Sequence, residues 1–406
     1  MRSTAAKSIN SLFSADIRIV GSLVQYQRSP GVWVTADASL TVPATQLGNL
    51  YTLPSPFWSL SFNFDASTLA VGLISANPGD SILSILTNTA GFYTQEAISL
   101  PPDAVGATSG IVSLSNDGNI LALGSFSDNG FIGAVWIYAK IAGVWTLQGP
   151  KITGPGEIGA GDFGWSVSLS GSGNLLAVGS PQETPAGAAY IFNLSSPTSP
   201  TFVARLVGTP LDTGAVFGWD VALSADGSTL AVGASSNLAN RGSAFIFTKM
   251  QSQWTQQAYL TPPSGFTIQF FGFVVSLSAD GNIFATSSQD NAVVYYRSAR
   301  ADGLWSAGNV LPLPYDSVGA LTEYYAYLSQ DGNTICTSSI SNNNDVGASW
   351  IFTQGPIGSW TQNGPALVGT GATLPATLQG YSRISGDGKV LAVLDNSDQG
   401  LLWIFV

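Results

Sequence analysis

The chain has 406 residues, of which 45% are hydrophobic and only 9% are charged, so it can fill a large core but must keep its surface polar with uncharged side chains. It contains no histidine, one cysteine and two methionines, which excludes Ser-His-Asp and Cys-His catalysis, His-ligated zinc or iron and an intrachain disulfide. The net charge of −11 argues against a nucleic-acid partner, because an acidic surface repels phosphate.

The N-terminal segment differs in charge from the rest of the chain. Residues 1–28 carry four basic side chains and one acidic side chain. We expect residues 1–16 to form a flexible basic arm, which is either a disordered tail or a segment that docks on an acidic partner. The segment lacks the apolar run of a secretory signal, and no stretch of the chain is apolar for 18 residues, so we expect neither a cleaved signal nor membrane insertion.

A repeated unit organises the chain from residue 17 to residue 406. Its most regular feature is a tight turn that recurs every 51 to 56 residues. The turns lie at Asp65, Asp117, Ser172, Asp226, Asp280, Asp331 and Asp387. Seven turns indicate seven units, and because no composition shift interrupts them we expect one domain rather than the two or three that the length suggests.

Each unit shows the periodicity of β-strands. In residues 163–170, FGWSVSLS, aromatic and aliphatic residues alternate with serines, as expected for a half-buried strand, which we call strand a. The apolar run 175–179 predicts a fully buried strand b, and 188–192 predicts strand c. The mixed segment 254–260 is typical of an outer strand d.

The turn between strands a and b has the sequence Ser-x-Asp-Gly in most units. The Asp side chain can cap the backbone of the turn while the Gly adopts a left-handed conformation. Unit 1 has Ala66 in place of this Gly, and a left-handed alanine is unfavourable, so we expect its turn to have a different shape.

Four antiparallel strands repeated seven times predict an all-β fold, a seven-bladed β-propeller of four-stranded antiparallel blades. The last unit contains strands a, b and c and then ends, so residues 17–40 are expected to close the ring by completing the C-terminal blade. Residues 32–40 are predicted to be its strand d. Residues 17–27 are either a fifth, outermost strand or a replacement for the C-terminal strand c.

The chain resembles the FG-GAP repeat family, whose seven-bladed propellers form the head of integrin alpha chains. The resemblance covers residues 20–406 and depends on Phe-Gly pairs followed by a small-residue motif at the end of strand b. The matching residues are Phe163-Gly164 with Gly179-Ser180-Pro181, Phe217-Gly218 with Gly233-Ala234-Ser235, and Phe271-Gly272. Units 1, 2, 6 and 7 keep the turn and strand b but lack the Phe-Gly pair.

The resemblance implies an adhesion-type scaffold, but not the family's calcium sites. Those sites use a D-x-D-x-D-G loop between strands a and b, whereas the turns of this chain have one carboxylate each, too few for a cage of six to eight oxygens. We therefore predict no metal and no cofactor. The repeat length and the lack of Gly-Gly and terminal Trp-Asp dipeptides distinguish the chain from WD and kelch propellers.

The eleven tryptophans fall on repeat positions, which favours packing within and between blades for most of them. Five aromatic residues near the start of strand a are the exception, because the innermost strand begins at one mouth of the central channel. They are Trp58, Trp165, Trp219, Phe273 and Tyr325. We expect them to ring that mouth and to contribute to ligand binding.

The loops between strands b and c provide further candidate binding residues. In a propeller these loops share one face with the d–a loops, and here they are variable and rich in Asp and Asn, whose side chains hydrogen-bond glycan hydroxyls or polar groups of proteins. The candidates are Asp128, Asn129, Glu183, Asn240, Arg241, Asp290, Asn344, Asp345 and Asp398. The alternative interpretation of each residue is ordinary turn chemistry in a solvated loop.

The sequence leaves three functional hypotheses. The first is a non-catalytic scaffold for recognition or adhesion that binds a protein or glycan at an extracellular or virion surface, with a cytoplasmic location as the alternative. The second is a glycoside hydrolase, which needs two carboxylates and no histidine. Its candidate carboxylates are Asp162, Asp220, Glu183 and Glu323. The third is a purely structural coat or fibre component.

Overall fold

A computed structural model gives the fold of the chain and describes most of it. The described residues are 18–20, 23–25, 57–75, 79–89, 92–156, 159–265, 268–288, 291–298, 303–306, 308–311, 324–339, 348–367, 382–394 and 402–405. Within these residues no helix has the length and apolar character needed to cross a membrane.

The chain forms a ring of antiparallel sheets, or blades, as predicted. Blade 1 consists of strands β3 (Phe57–Phe62), β4 (Thr68–Leu73), β5 (Leu83–Thr89) and β6 (Phe92–Ile98). Blade 2 consists of β7 (Ile111–Leu114), β8 (Ile120–Ser125), β9 (Ala134–Ile141) and β10 (Val144–Leu147). Blade 3 consists of β11 (Ser166–Leu169), β12 (Leu175–Ser180), β13 (Ala188–Asn193) and β14 (Thr201–Leu206). Each set forms one sheet whose strands pair in chain order, which confirms strands a to d.

Blades 4 to 7 repeat this arrangement. Blade 4 consists of β15 (Val221–Leu223), β16 (Thr229–Ala234), β17 (Ser243–Met250) and β18 (Gln253–Leu260), and blade 5 of β19 (Val274–Leu277), β20 (Ile283–Ser287), β21 (Ala292–Tyr296) and β22 (Asn309–Val310). Blade 6 consists of β23 (Tyr324–Leu328), β24 (Thr334–Ser339), β25 (Ala348–Gln354) and β26 (Trp360–Gln362). The described strands of blade 7 are β27 (Ser382–Ile384), β28 (Leu391–Leu394) and β29 (Leu402–Phe405). Among the described residues three short helical turns lie between strands, namely α1 (Asp128–Phe131), α2 (Asn237–Asn240) and the 3-10 turn η1 (Pro356–Gly358).

In the described part of the chain the hydrophobic core is divided into seven clusters, which lie between neighbouring blades. One cluster joins blade 3 to blade 4 through Val232 and Phe245 on one side and Ala177 and Ile191 on the other. Another joins the last blade to the first, since Ile404 packs with Leu60. The apolar strands b and c are therefore buried on both faces, and the core closes around the ring.

The a–b turns are linked by a closed ring of backbone hydrogen bonds. Each turn donates an N–H to a carbonyl in the turn of the next blade, and blade 7 donates to blade 1. The bonds run from Phe64 to Asn116, Asn116 to Gly171, Gly171 to Ala225, Ala225 to Ala279, Ala279 to Gln330, Asp331 to Gly386 and Asp387 to Phe64, at 2.7 to 3.1 Å. Hydrogen-bonded backbones lie about 4.8 Å apart, so seven of them enclose a circle only about 11 Å across. The Gln330 side chain also lines this end of the channel.

The a–b turns have the hydrogen bonds that the Ser-x-Asp-Gly sequence predicts. In blade 2, the Asp117 carboxylate accepts hydrogen bonds from the Ser115 hydroxyl at 2.6 Å and from the Asn119 backbone N–H at 3.0 Å. Partial burial alone would raise the pKa of Asp117, but these hydrogen bonds outweigh it and lower the pKa. The Asp side chains are therefore held as turn caps.

The expectation of a different first turn was wrong. Ala66 adopts the left-handed conformation, with φ of 57°, that Gly adopts in the other units. Ala66 is buried, and its carbonyl accepts a 2.6 Å hydrogen bond from the Tyr93 hydroxyl. Packing and this bond stabilise a backbone conformation that costs an alanine about 1 kcal/mol.

Two short strands from the N-terminal part of the chain are described, and the second lies beside the last blade. Strands β1 (Arg18–Val20) and β2 (Leu23–Gln25) pair with each other, and β2 lies against β29 (Leu402–Phe405), the outermost described strand of blade 7. This position agrees with closure of the ring by an N-terminal strand. Residues 32–40 and 1–16, for which a strand d and a basic arm were predicted, lie outside the described residues.

Candidate functional site

An arc of aromatic rings borders one mouth of the central channel. Trp165 and Trp219 lie with ring centroids 4.8 Å apart, and Trp219 and Phe273 lie 5.4 Å apart. Tyr325 follows, with its centroid 5.7 Å from that of Phe273. The structure therefore brings together four of the five predicted residues, while the side chain of Trp58 is outside the described part of the chain.

The Phe-Gly pair positions the start of each inner strand. Phe163 is fully buried between blades 2 and 3, and Gly164 has a φ of +90°. Phe163 also forms a parallel bridge with Gly133 of the preceding blade. These contacts fix the backbone immediately before Trp165, so the indole is held at the mouth by buried neighbours.

Phe126 and Phe131 extend the arc onto the face of the propeller. The Phe126 ring lies 4.7 Å from that of Trp165, and Phe131 lies 6.4 Å beyond Phe126 with 53% of its surface exposed. Both belong to the b–c loop of blade 2. The Phe131 carbonyl accepts a 3.0 Å hydrogen bond from the N–H of Asp162 in the next d–a loop, so the two kinds of loop share this face. Sequence analysis missed both phenylalanines because they lie outside the strand pattern.

The channel below the arc contains a cavity of about 430 Å³ lined by the inner strands of all seven blades. Serine hydroxyls on these strands accept backbone N–H groups of the next blade. Ser166 accepts from Val221 at 3.0 Å, and Ser168 accepts from Leu223 at 2.9 Å. The polar face of strand a, which the sequence pattern had left without a role, therefore fastens one blade to the next.

Asp220 takes the place of one of these serines. Its carboxylate accepts hydrogen bonds from the Ser166 hydroxyl at 2.9 Å and from the backbone N–H of Val275 at 2.8 Å. Burial raises the pKa of Asp220 above its usual value, although the Val275 hydrogen bond and the charge of Arg383 oppose this. The carboxylate joins blades 3, 4 and 5.

Two of the predicted loop carboxylates are buried and fully engaged. Asp128 is paired with the Lys151 ammonium at 2.5 Å and accepts a hydrogen bond from the Val105 N–H at 2.6 Å. Glu183 is paired with the Arg205 guanidinium and accepts a hydrogen bond from the Tyr190 hydroxyl at 2.6 Å. Both hold b–c loops in place, because a buried charge is tolerated only with such partners.

The remaining loop candidates fall into two groups. Asn129, Asn240 and Arg241 are exposed, and both asparagines have a positive φ, so their side chains face solvent on rigid turns. Four others lie outside the described residues, namely Asp290, Asn344, Asp345 and Asp398, and so does Glu323, a candidate carboxylate of the hydrolase hypothesis. A contribution of these residues to ligand binding stays a prediction.

Cys336 is buried, its sulfur accepts a 3.6 Å hydrogen bond from the Ser382 hydroxyl, and burial raises its pKa to about 11. Among the described residues no three His, Cys, Asp or Glu side chains lie together as metal ligands would. The candidate site therefore consists of the aromatic mouth, the exposed loops beside it and the cavity below.

Asp162 is expected to limit stability at neutral pH. Burial raises its pKa to about 6. The Asp162 carboxyl ionises at a lower pH in the unfolded chain than in the folded protein, so the free energy of unfolding falls as pH rises from about 4 through 6. A shift of this size is worth about 3 kcal/mol at full burial, and because the side chain is partly solvated we expect Asp162→Asn to stabilise the protein by about 1 kcal/mol at pH 7 and to add nothing through charge at pH 4.

Urea unfolding of both proteins at the two pH values measures this difference. Asp280→Asn is the matched control, since hydrogen bonds from Ser278 and Asn282 outweigh burial and lower the pKa of Asp280. Replacing the Asp280 carboxylate should therefore destabilise the protein at pH 7. If Asp162→Asn stabilises the protein equally at pH 4 and pH 7, the cause is the backbone preference of asparagine and not the removal of a buried charge.

Comparison with known proteins supports the fold and the repeat type. The sequence model described as FG-GAP repeat matches residues 200–247, which include Phe217-Gly218 and strands β15 and β16. A protein from Lactobacillus plantarum superposes with a TM-score of 0.54 at 14% identity, over 80% of this chain and 87% of that one. No curated protein sequence matches the chain.

Two further solved structures are similar over most of their length. A functionally unknown protein from Desulfotomaculum acetoxidans has a TM-score of 0.53 at 14% identity, over 79% of this chain and 87% of that one. The propeller of Dos1 has a TM-score of 0.51 at 14% identity, over 87% and 92%. At these identities the likeness concerns the fold alone. The chain is a seven-bladed β-propeller that carries an FG-GAP repeat at residues 200–247.

Proposed function

We propose that this propeller is a non-catalytic recognition scaffold that binds a protein or glycan partner at a cell or virion surface. The supporting observation is the aromatic arc, which runs from exposed Phe131 through Trp165 and Trp219 to the channel mouth. Large aromatic side chains supply much of the binding energy in protein interfaces, and their faces also pack on the C–H groups of sugars. Exposed Asn129, two residues before Phe131 in the same loop, adds hydrogen-bonding groups to this face.

The rigidity of this face also favours recognition. Buried ion pairs anchor the b–c loops of blades 2 and 3, and backbone hydrogen bonds join the b–c loop of blade 4 to the next d–a loop, as from Phe270 N–H to the Asn240 carbonyl at 2.8 Å. Loops fixed in this way lose little conformational entropy when a partner binds. The binding surface is therefore preorganised.

The glycoside hydrolase hypothesis has weaker support. A hydrolase needs one carboxyl group that donates a proton and a second that acts as nucleophile or base. Glu183 is neutralised by Arg205, and Asp220 is occupied by hydrogen bonds from three blades, so neither carboxylate faces a substrate unengaged. The coat or fibre hypothesis requires only the rigid ring and does not use the aromatic arc.

Binding of the labelled, purified protein to a glycan array and to intact cells tests the proposal. We expect saturable binding that falls at least about tenfold in Phe131→Ser, since a large aromatic contact in an interface is commonly worth more than 1 kcal/mol. Pretreating the cells with protease or with glycosidases distinguishes a protein partner from a glycan partner.

Met250→Ser is the matched control for this experiment. Met250 is 66% exposed in the c–d turn of blade 4, on the opposite face of the propeller. The control should bind like the wild type. Absence of binding to glycans and cells alike, or equal loss in the two variants, would contradict the proposal.

A further inference from the structure

Among the described residues that line the channel, Arg383 is a cation with N–H groups that are largely free of hydrogen-bond partners. Most polar groups on the channel wall are already engaged. The serine hydroxyls accept N–H groups from the next blade in the pairs Ser61 with Leu114, Ser113 with Leu169, Ser168 with Leu223, and Ser276 with Leu328. These serines therefore have a structural role, and recognition inside the channel must depend on other side chains.

Arg383 occupies the equivalent position in blade 7. It lies two residues before the turn serine Ser385, as Ser168 lies two residues before Ser170. Its guanidinium lies 3.5 Å from the centroid of the Tyr327 ring. Stacking covers one face of the guanidinium and leaves its N–H edges directed away from the tyrosine.

The N–H groups of Arg383 have few partners. Among the described residues Arg383 donates one hydrogen bond, to the Ser382 carbonyl at 3.3 Å, and belongs to none of the ion pairs. A guanidinium has five N–H donors in a planar fork that matches a carboxylate. An arginine that lines a cavity with most donors unused is suited to an anionic ligand.

Gln330 provides a second unsatisfied group at the same end of the cavity. It lies in the a–b turn of blade 6, and the next residue, Asp331, donates a backbone hydrogen bond to Gly386 of blade 7. The Gln330 side-chain oxygen is buried and has no hydrogen-bond partner among the described residues. Because the two ends of an amide exchange by rotation, this group can donate to a ligand as well as accept from one.

An aromatic wall connects the mouth with Arg383. Trp219 contacts Phe273, and Phe273 contacts Tyr325. Tyr325 and Tyr327 are two residues apart on β23, so they share one face of the strand, and Tyr327 lies under the guanidinium. A ring entering through the mouth would contact aromatic faces along this side of the channel.

We propose that the channel binds a small organic molecule with one carboxylate and one ring, with the carboxylate on Arg383 and Gln330 and the ring against the aromatic wall. Among the described residues that line the cavity Arg383 is the one cation, which suits a ligand with a single negative charge, while Asp220 in the same channel and the net charge of −11 disfavour phosphates, which carry nearly two charges. The cavity of about 430 Å³ is of the size that holds such ligands. The inference does not depend on the proposed surface partner.

Calorimetry and tryptophan fluorescence with the purified full-length protein test this site. The probes are glucuronate and phenylacetate, which represent an acidic sugar and an aromatic acid, with glucose and glucose 6-phosphate as comparisons. We expect at least one of the two acids to bind with a Kd near or below about 1 mM, and both comparison compounds to bind at least about tenfold more weakly. The acid that binds identifies which ring chemistry the wall accepts.

Variants connect the binding to the arginine. We expect Arg383→Met to weaken binding of the acid at least about tenfold and Arg383→Lys, which keeps the charge but loses the planar fork, to weaken it less. The exposed Lys249→Met on the outside of blade 4 is the control and should bind normally. If Arg383→Met does not fold, Arg383→Lys decides the question alone.

Three results would overturn the proposal. The first is no binding of either acid by folded protein, and the second is glucose or glucose 6-phosphate binding as tightly as the acid. The third is unchanged affinity in the folded Arg383 variants. Because these measurements use only small molecules, a negative result leaves the proposed surface recognition standing, and a failure to bind cells leaves this site standing.

Discussion

Gly179→Ala is expected to destabilise the propeller by about 3 kcal/mol, although alanine is normally tolerated in a strand. Gly179 lies at the end of strand β12 (Leu175–Ser180), where the Phe-Gly segment of blade 4 crosses it. A Cβ atom at this position would lie 2.0 Å from the carbonyl oxygen of Gly218. Gly218 is itself fixed within blade 4 by a 3.0 Å hydrogen bond from its N–H to the Gly233 carbonyl and by a φ of +92°, so room for the Cβ atom requires that the two blades separate.

Gly214→Ala is the matched control for this substitution. Gly214 has a φ of +78°, but no atom lies within 4 Å of the position that its Cβ would occupy. Its replacement should cost about 1 to 2 kcal/mol, from backbone strain alone. Denaturant unfolding measures both values, and an equal or smaller loss for Gly179→Ala would show that the blades do not approach as closely as the structure indicates.

This contact explains why the Phe-Gly pair and the glycine of strand b occur together in the sequence. The b-strand glycine of one blade meets the Phe-Gly carbonyl of the next, as at Gly179 and Gly218 and again at Gly233 and Gly272. The phenylalanine of the pair fills the cluster between the same two blades, as Phe217 does. The motif is therefore a joint between blades rather than a ligand site.

Most of the fold could be predicted because its determinants are local and repeated. Alternation in strand a, the apolar runs of strand b and the Ser-x-Asp-Gly turns each lie within about ten residues. The contact that closes the ring is not local, because the hydrogen bond from the Asp387 N–H to the Phe64 carbonyl joins the last blade to the first. The left-handed Ala66 was also missed, because the Tyr93 hydroxyl that binds its carbonyl comes from another strand.

The candidate site was less predictable than the fold. Trp165 and Trp219 could be placed because equivalent repeat positions come together around the channel. The partners of Asp128 and Glu183 could not, since Lys151 and Arg205 lie 22 to 23 residues away, with no pattern that connects them. Arg383 was not among the predicted residues, although alignment of the units places it where units 1, 2, 3 and 5 have Ser61, Ser113, Ser168 and Ser276.

Arg205→Met is expected to destabilise the protein by about 3 to 5 kcal/mol, the range for removing one partner of a buried ion pair. The Glu183 carboxylate is buried, and one of its oxygens accepts both hydrogen bonds from Arg205, at 2.9 and 2.5 Å. Without the guanidinium, the Tyr190 hydroxyl is its remaining side-chain donor among the described residues. Burial alone would lower the pKa of Arg205, but the hydrogen bonds and charge of Glu183 outweigh it and raise the pKa of the guanidinium.

The double variant Glu183→Gln/Arg205→Met separates charge burial from loss of packing. If the uncompensated carboxylate causes the loss, the added Glu183→Gln change should recover at least about 2 kcal/mol, because a neutral amide can be buried with the Tyr190 hydroxyl as partner. Glu183→Gln alone should cost less than Arg205→Met, since Arg205 is one-third exposed and can be solvated. Urea unfolding of the four proteins gives the coupling energy. A double variant no more stable than Arg205→Met would mean that the arginine acts through its aliphatic packing on strand d, and that the b–c loop of blade 3 is not held by this charge pair.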